Sequence, residues 1–149
     1  LLWKNCPEEE KGNFDYLMDV IDWEANVDPD FKKNRFMAPI VARESDKFKE
    51  EWICYKCKLA SAKRLTVYPG QTVTISDNAP YGFILIQGHG KFGNWDIETP
   101  TLIRYGELTS DEFFVTEDAA KKGITITNTS KTENIVMLKH FAENPDLDF

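Results

Sequence analysis

Histidine and cysteine, the nitrogen and sulfur ligands of metal sites, are few in this sequence. There are two histidines, His89 and His140, and three cysteines, Cys6, Cys54 and Cys57. Cys54 and Cys57 have CxxC spacing, but a closed zinc site needs four ligands. They also lie in a strand-like run, where residues three apart point to opposite faces. We therefore predict structural roles for both, with metal or redox use as the alternative.

Each histidine has two interpretations. His89 lies between two glycines after an apolar run, where it could contact a ligand at the mouth of a pocket or occupy a turn that tolerates positive φ. His140 follows Lys139 near the end of the last apolar run and is interpreted as a surface or packed side chain. Two isolated histidines cannot complete a metal site. The sequence therefore predicts no metal and no other cofactor.

Arg104 is the best candidate for binding an anion, because a guanidinium group matches the geometry of phosphate or carboxylate. Lys91 and Lys139 could assist it. The alternative is surface pairing with the acidic residues Glu98, Glu107 and Glu112. No spacing supports a further possibility, an acid–base pair of Tyr81 and Glu112. The run GHGKFG at 88–93 lacks the GK[ST] ending and the following helix of a phosphate loop.

Composition excludes several classes of protein. The chain has 149 residues, so one domain is expected, and its 42% apolar and 13% aromatic content indicates an ordered globular protein. A net charge of −7 without a basic stripe argues against a nucleic-acid partner. The absence of a long apolar run argues against a membrane span. Few cysteines, in odd number, predict a reducing, cytoplasmic location. A start at leucine predicts a fragment or a processed product.

The pattern is clearest in residues 65–93, which alternate strand-like runs with turn residues. Pro-Gly at 69 and 70 closes the first run, and residues 71–76 alternate polar with apolar side chains, as in a half-buried strand. Residues 83–86 form a continuous apolar run, as in a strand buried on both faces. A sharp hairpin is then predicted from three closely spaced glycines, Gly88, Gly90 and Gly93.

Residues 1–50 are predicted to form an arm with short helices. Asn13 could cap a helix that runs to Ile21 or Trp23, because apolar residues recur at helical spacing after it. Asp28 and Pro29 predict the start of a second helix. The aromatic side chains of this arm need a partner surface, either the rest of this chain or another domain.

Residues 51–141 are predicted to be an all-β domain, and residues 142–149 an acidic tail. Short strands with evenly spaced turns are typical of a sandwich or small barrel. One helical turn, capped by Thr116 and ended by Gly123, interrupts them. The predicted strands are 51–58, 63–68, 71–76, 82–87, 94–98, 101–105, 111–115, 123–128 and 134–141.

The last 80 or so residues resemble the cupin superfamily, whose jelly-roll barrel has two sequence motifs joined by a variable segment. LTVYPG…PYGFILIQGHGKFG is similar to the first motif, and FFVTEDAAKKGITITNTSKTENIVMLKHF to the second, with Asn128 at the asparagine of that motif. The resemblance implies an all-β fold, a cupin-like jelly-roll β-barrel with an N-terminal helical arm. More loosely, it implies the C-terminal half of a two-barrel protein similar to mannose-6-phosphate-isomerase-like proteins.

The sequence departs from the superfamily at the metal ligands. Metal-dependent cupins take two His and one Glu from the first motif and one His from the second. The window for the His pair, residues 74–78, has no histidine; the Glu place is Tyr81 and the last His place is Ile124. Neither tyrosine nor isoleucine replaces these ligands. The resemblance therefore does not imply a metal site.

In the cupin frame, strand alternation predicts that polar side chains line the barrel interior among apolar ones, as in a small-molecule pocket. The alternative is a core in which the polar members bond the backbone. Thr74, Phe83, Leu85, Ile124 and Ile126 are predicted on the same face. The predicted ligand-binding residues are Ser76, Tyr81, Gln87, His89, Arg104 and Asn128.

The favoured function is a metal-less cupin domain that binds a small polar ligand, most simply a sugar or sugar derivative, or that serves as the non-catalytic half of a two-barrel protein. One alternative is a sugar (phosphate) isomerase or epimerase with catalysis outside this chain. Another is a structural dimerisation module. Expected partners are thus the ligand and either a second copy or an upstream barrel.

Overall fold

A computed structural model describes residues 3–57, 59–100 and 108–142. Its internal contacts divide the chain into two units, Leu1–Phe36 and Met37–Phe149. Three predicted features, Arg104, the strand at 101–105 and residues 143–149 of the acidic tail, lie outside the described residues.

The first unit is built of short helices: a 3-10 turn at Glu8–Glu10, then α1 (Phe14–Asp19), α2 (Trp23–Asn26) and α3 (Phe31–Arg35). Asn13 caps α1 as predicted, because its Oδ1 accepts a hydrogen bond from the backbone N–H of Tyr16 at 3.1 Å. The helix ends earlier than predicted, since Asp22 caps a separate α2 by accepting from Ala25 at 2.9 Å.

The second unit is two antiparallel sheets. The large sheet has six strands in the order β1-β2-β3-β10-β5-β8, and the small sheet has four in the order β4-β9-β6-β7. One helix, α4 (Glu117–Lys122), precedes β9 and ends at Gly123, as predicted. The strands are β1 (Ile40–Glu44), β2 (Phe48–Cys54), β3 (Ser61–Val67), β4 (Thr72–Ile75), β5 (Tyr81–Gln87), β6 (His89–Phe92), β7 (Trp95–Glu98), β8 (Glu112–Val115), β9 (Ile124–Asn128) and β10 (Ile135–Phe141).

The core lies between the two sheets, because alternate residues of each strand face inward. Leu65 and Val67 of β3, and Ile135 and Met137 of β10, are fully buried. Phe83 lies 4.5 Å from Phe92 and 5.3 Å from Phe113 between ring centroids, so aromatic contacts join the sheets. This all-β arrangement confirms the predicted fold class.

The large sheet begins before position 51, where the β-domain was predicted to start. β1 and the first residues of β2 lie in the predicted arm, yet they pair with each other from Ile40↔Trp52 to Glu44↔Lys49. Strand pairing overrides a sequence pattern that is too polar to indicate strands, because Lys49, Glu50 and Glu51 are successive charged residues.

The three glycines after β5 do not form one turn. Gly88, with φ of +88°, connects β5 to a further strand, β6. Gly90 lies inside β6, where a Cβ would be 2.1 Å from the carbonyl oxygen of Thr127 on β9. Gly93, with φ of +59°, and Asn94 form the two-residue loop of the β6–β7 hairpin.

No helix in the described ranges is long and apolar enough to cross a membrane.

Candidate functional site

A group of charged side chains occupies the interior of the barrel. Glu50 of β2, Lys63 of β3, Lys139 of β10 and Asp77, which follows β4, are at most 5% exposed; we call them the buried charge cluster. Three of them lie on the inward faces of adjacent strands β2, β3 and β10. Asp77 is held by its backbone N–H, which donates to the Ala120 carbonyl of α4 at 3.0 Å.

Cations contact every carboxylate oxygen of the buried charge cluster. Lys139 Nζ lies 2.7 Å from Glu50 Oε1 and also donates to Asp77 Oδ2. Lys63 Nζ lies 3.0 Å from Asp77 Oδ1. Arg43 of β1 donates through Nε to Glu50 Oε2 at 2.7 Å and lies 3.4 Å from Asp77 Oδ1. Since a buried unpaired charge costs several kcal/mol, this mutual pairing is what makes the cluster tolerable.

Aromatic rings enclose the two ammonium groups. Lys63 Nζ is 4.5 Å from the ring centroid of Trp52, and Lys139 Nζ is 4.7 Å from that of Tyr81. Phe141 lies between them, at 5.3 Å from Lys63 Nζ and 5.7 Å from Lys139 Nζ. Such cation–π contacts stabilise ammonium ions away from water.

Tyr81 faces the anionic side of the cluster. Burial raises the pKa of its phenol well above the usual value, and the negative charges of Asp77 and Glu50 raise the pKa further, while Arg43 opposes them. Tyr81 is therefore a neutral phenol at physiological pH rather than a base.

Arg43 connects the cluster to the surface. Its guanidinium donates through Nη1 to the Ser76 carbonyl at 2.7 Å, and its side chain is 35% exposed. The polar groups thus form one network from the edge strand β1 to the barrel interior, and this network joins β1, β2, β3 and β10.

The residues at the cupin metal positions do not fit a transition metal. Tyr81 is buried against the charge cluster and Ile124 is apolar, while Thr74 and Ser76 in the window for the His pair are exposed. The only carboxylate of that window, Asp77, is paired with Lys63 and Lys139. Within residues 3–57, 59–100 and 108–142, no group of three His, Cys, Asp or Glu could hold a metal.

A cleft of about 650 Å³ opens beside the cluster, at the same end of the barrel. The two are adjacent because Val115 of the cleft pairs with Tyr81 in the β5–β8 ladder, and Ile124 pairs with Ile75, two residues before Asp77. We call it the aromatic cleft. Its lining is Phe92, Gly93, Asn94, Trp95, Phe113, Phe114, Val115, Thr116, Ala119, Gly123, Ile124 and Thr125.

The aromatic cleft combines rings with neutral polar groups. Phe92 and Phe113 pack on each other at its base with centroids 6.1 Å apart, and Trp95 is 64% exposed. Asn94 and Thr116 supply an amide and a hydroxyl, and the hydroxyl of Thr116 makes no capping hydrogen bond to α4. None of the described lining residues is ionisable at neutral pH. Such a surface suits a small neutral ligand that has both an apolar face and hydroxyl groups.

The predicted ligand-binding residues do not converge. Tyr81 and Asn128 are buried, whereas Ser76, Gln87 and His89 are exposed. Asn128 bonds the backbone, since its Nδ2 donates to the carbonyls of Val67 at 2.9 Å and Glu133 at 2.8 Å. This is the core role that was the alternative to ligand binding.

The prediction that Thr74, Ser76 and Gln87 face the interior is wrong. On β4 it is Val73 and Ile75 that are buried, and Asp77 continues this face. Apolar alternation thus decides which face of β4 is inside, because a one-residue change of register would expose every apolar side chain of the strand.

Sequence reasoning missed the buried charge cluster, although a signal was present. Lys63 alternates with Leu65 and Val67, and Lys139 alternates with Met137 and Phe141, so both lysines fall on apolar faces. A charge in such a position indicates a buried partner of opposite charge.

Comparison with known proteins gives matches among solved structures only. No protein-family model matches the chain, and no curated protein does. The oxalate decarboxylase of Lactobacillus farciminis, solved as a formate complex, is 22% identical with a TM-score of 0.50, over 73% of this chain and 31% of that one. A cupin 2 domain-containing protein of Halorhodospira halophila is 15% identical with a TM-score of 0.48, over 75% and 82%.

An RmlC-like cupin of Ralstonia eutropha JMP134 is 11% identical with a TM-score of 0.48, over 71% of this chain and 63% of that one. The chain therefore spans under two thirds of that cupin and about a third of the oxalate decarboxylase chain. The match to the oxalate decarboxylase, at a TM-score of 0.50, concerns the fold alone. The all-β unit has the jelly-roll fold of cupin proteins.

Proposed function

We propose that this chain is a binding domain that takes a small neutral ligand, most simply a sugar, in the aromatic cleft without a metal. The observation that carries the proposal is the lining of the cleft, in which aromatic rings alternate with amide and hydroxyl groups and no described residue is charged. Rings can stack on the C–H face of a sugar, while Asn94 and Thr116 can bond its hydroxyl groups.

The lining also supports binding rather than turnover. Isomerisation or epimerisation of a sugar needs a general base and a general acid within hydrogen-bond reach of the ligand. The carboxylates of the neighbouring buried charge cluster are fully paired, and Tyr81 is held neutral by the raised pKa of its phenol. A sugar isomerase therefore has no specific support in the part of the chain that the structure describes.

A neutral lining favours neutral sugars over sugar phosphates, because a phosphate would lose hydration without gaining a cationic partner. Binding would be measured by titrating a panel of monosaccharides and the corresponding phosphates, with tryptophan fluorescence and calorimetry as readouts. We expect saturable binding of at least one neutral sugar, unchanged by a chelator.

Trp95→Ala should abolish this binding, because its indole is the larger of the two exposed rings of the cleft, the other being that of Phe114. Trp23→Ala is the matched control, since Trp23 is 46% exposed and belongs to the helical unit. Binding that requires an added divalent metal, or that survives in Trp95→Ala, would overturn the proposal. Product formation from a bound sugar would favour the enzyme instead.

A further inference from the structure

The outer face of the large sheet is apolar where β10 and β5 run side by side. Ile84 is 40% exposed, Ile86 is 50% exposed and Phe114 is 73% exposed. Leu138 is half-buried beside them. Single exposed apolar residues are common, but a contiguous group on one sheet face indicates a surface that another surface covers.

The ladder registers order this face into two rows across four strands. One row is Arg64, Leu138, Ile84 and Glu112, because Leu138 pairs with Arg64 and with Ile84, and Ile84 pairs with Glu112. The next row is Ala62, His140, Gly82 and Phe114. In both rows the strand order is β3, β10, β5, β8. We call these eight residues the outer apolar face.

We propose that the outer apolar face binds the same face of a second copy of this chain, about a two-fold axis that runs along the strands between β10 and β5. Rotation about this axis places each row opposite the same row of the other copy, with the four residues of the row in reverse order. β3 of one copy then lies over β8 of the other, and β10 lies over β5. A two-fold contact uses the same patch on both subunits, so the patch must be complementary to itself.

The charges of the face are complementary under this operation. Arg64 of one copy meets Glu112 of the other, and the symmetry produces this contact twice. Arg64 is available for it, since its side chain is 40% exposed although Nη2 also lies 2.7 Å from Glu51 Oε2. Glu112 is exposed. A two-fold axis perpendicular to the strands and through this row would instead bring Arg64 onto Arg64.

The sizes of the side chains are complementary as well. Leu138 meets Ile84 at the centre, Phe114 meets Ala62, and His140 meets Gly82. A shallow depression of about 350 Å³ lies at Gly82, bordered by Ile84, Phe114 and His140, and the imidazole of the second copy would enter it. Strands that stay aligned across the interface agree with the usual packing of two sheets.

The first test is a charge at the centre of the face, measured by sedimentation of the whole chain. We expect the unmodified chain to form a dimer, and Ile84→Arg to be monomeric but still to melt cooperatively, because Ile84 is already 40% exposed. Val27→Arg is the matched control, since Val27 is a 72% exposed apolar residue of the helical unit. That variant should remain dimeric.

The second test is a charge reversal that is specific to the axis. Glu112→Arg places a guanidinium against Arg64 of the other copy and should raise the dimer dissociation constant at least about tenfold, since opposed like charges are costly. Adding Arg64→Glu in the same chain restores opposite charges at both contacts and should recover the dimer. Because Arg64→Glu also places a carboxylate beside Glu51, folding of this variant is checked by its melting curve.

A monomeric unmodified chain at all concentrations would overturn the proposal, as would a dimer that survives Ile84→Arg. A dimer that is lost in Ile84→Arg but not weakened by Glu112→Arg would overturn the axis. The outer apolar face shares Phe114 with the aromatic cleft, so the two proposals are separated by residues that belong to one surface alone. Sugar binding should persist in Ile84→Arg, and dimerisation should persist in Trp95→Ala.

Discussion

The cation Lys139 pairs with both carboxylates of the buried charge cluster. Its ammonium contacts both buried carboxylates and the rings of Tyr81 and Phe141, yet its side chain is 0% exposed. A lysine so placed has no route to a substrate. We therefore interpret it as the counter-ion that allows Glu50 and Asp77 to be buried.

Lys139→Met should destabilise the fold by about 3–5 kcal/mol, the usual cost of breaking a buried ion pair. The lower part of this range is expected, because Lys63 and Arg43 remain beside the carboxylates. The measurement is chemical denaturation at neutral pH. Lys91→Met is the control, since Lys91 pairs with Asp96 on the surface, and it should cost less than about 1 kcal/mol. Equal effects of the two substitutions would contradict the role assigned to the cluster.

The raised pKa of Tyr81 predicts that the folded protein loses stability in alkali. Its pKa is raised in the folded state by burial and by Asp77 and Glu50, whereas an unfolded tyrosine ionises near pH ~10. A raised folded pKa means that this stabilisation is complete below the unfolded pKa and is lost as the pH rises above it. Denaturation at a series of pH values should show the decline, and Tyr81→Phe should show a smaller one.

The tyrosinate absorbance gives an independent readout. The signal of Tyr81 should appear only with unfolding, so Tyr81→Phe removes intensity from the unfolding step. If instead the substitution reduced the absorbance change near pH ~10 in the folded protein, the phenol would be accessible and the assignment would be wrong.

At the scale of elements, sequence pattern predicts strands well where the apolar face is regular. The run at 83–86 becomes the inner part of β5, and the alternation of Val73 and Ile75 fixes the buried face of β4. The pattern fails where charges are buried. Lys49, Glu50 and Glu51 read as a polar segment, because nothing local indicates that Lys139, 89 positions away from Glu50, will neutralise it.

The same limit applies to the candidate site. The aromatic cleft is assembled from β6, β7, β8, α4 and β9, so its residues are distant in sequence. Most of them fall within the two cupin-like stretches, but apart from Ile124 they occupy places to which the resemblance assigned no role. The superfamily resemblance identified Ile124 as the place of a missing histidine, but it did not indicate the other side chains that line the cleft. Residue types alone favoured polar candidates such as Gln87 and His89, which are exposed outside the cleft.

Gly90 shows how closely two elements can approach. β6 pairs with β9 so tightly that a Cβ at Gly90 would lie 2.1 Å from the Thr127 carbonyl oxygen and 2.8 Å from Ile135 Cδ1. Gly90→Ala should therefore cost at least about 2 kcal/mol, as overpacking of a rigid backbone does. Gly82→Ala is the control, since its Cβ would meet only the Phe113 carbonyl at 3.9 Å. Thermal melting of both variants compares them, and a stable Gly90→Ala would mean that β6 and β9 are further apart.

At the scale of the whole molecule, the cellular location and the partner of the chain stay predictions. All three cysteines are free, and the location predicted from them is the cytoplasm. Packing against an upstream barrel is an alternative outcome to the dimer proposed above, because either partner would cover the outer apolar face.

The extent of the β-unit can be tested by shortening the chain. A chain that begins at Met37 keeps β1, Arg43 and Glu50, whereas one that begins at Glu51 loses all three. In the second chain Lys139 and Lys63 lose Glu50, one of the two carboxylates of the buried charge cluster, and keep Asp77. β2 also becomes a truncated edge strand, which is unfavourable by itself.

We expect the chain from Met37 to melt cooperatively, with dispersed amide signals in its NMR spectrum. The chain from Glu51 should lack both, because it loses the buried pair of Lys139 with Glu50, and breaking a buried ion pair costs several kcal/mol, a large part of the stability of a small domain. If the chain from Glu51 folds as well as the chain from Met37, then β1 and Glu50 are dispensable and the interior charges do not organise the barrel.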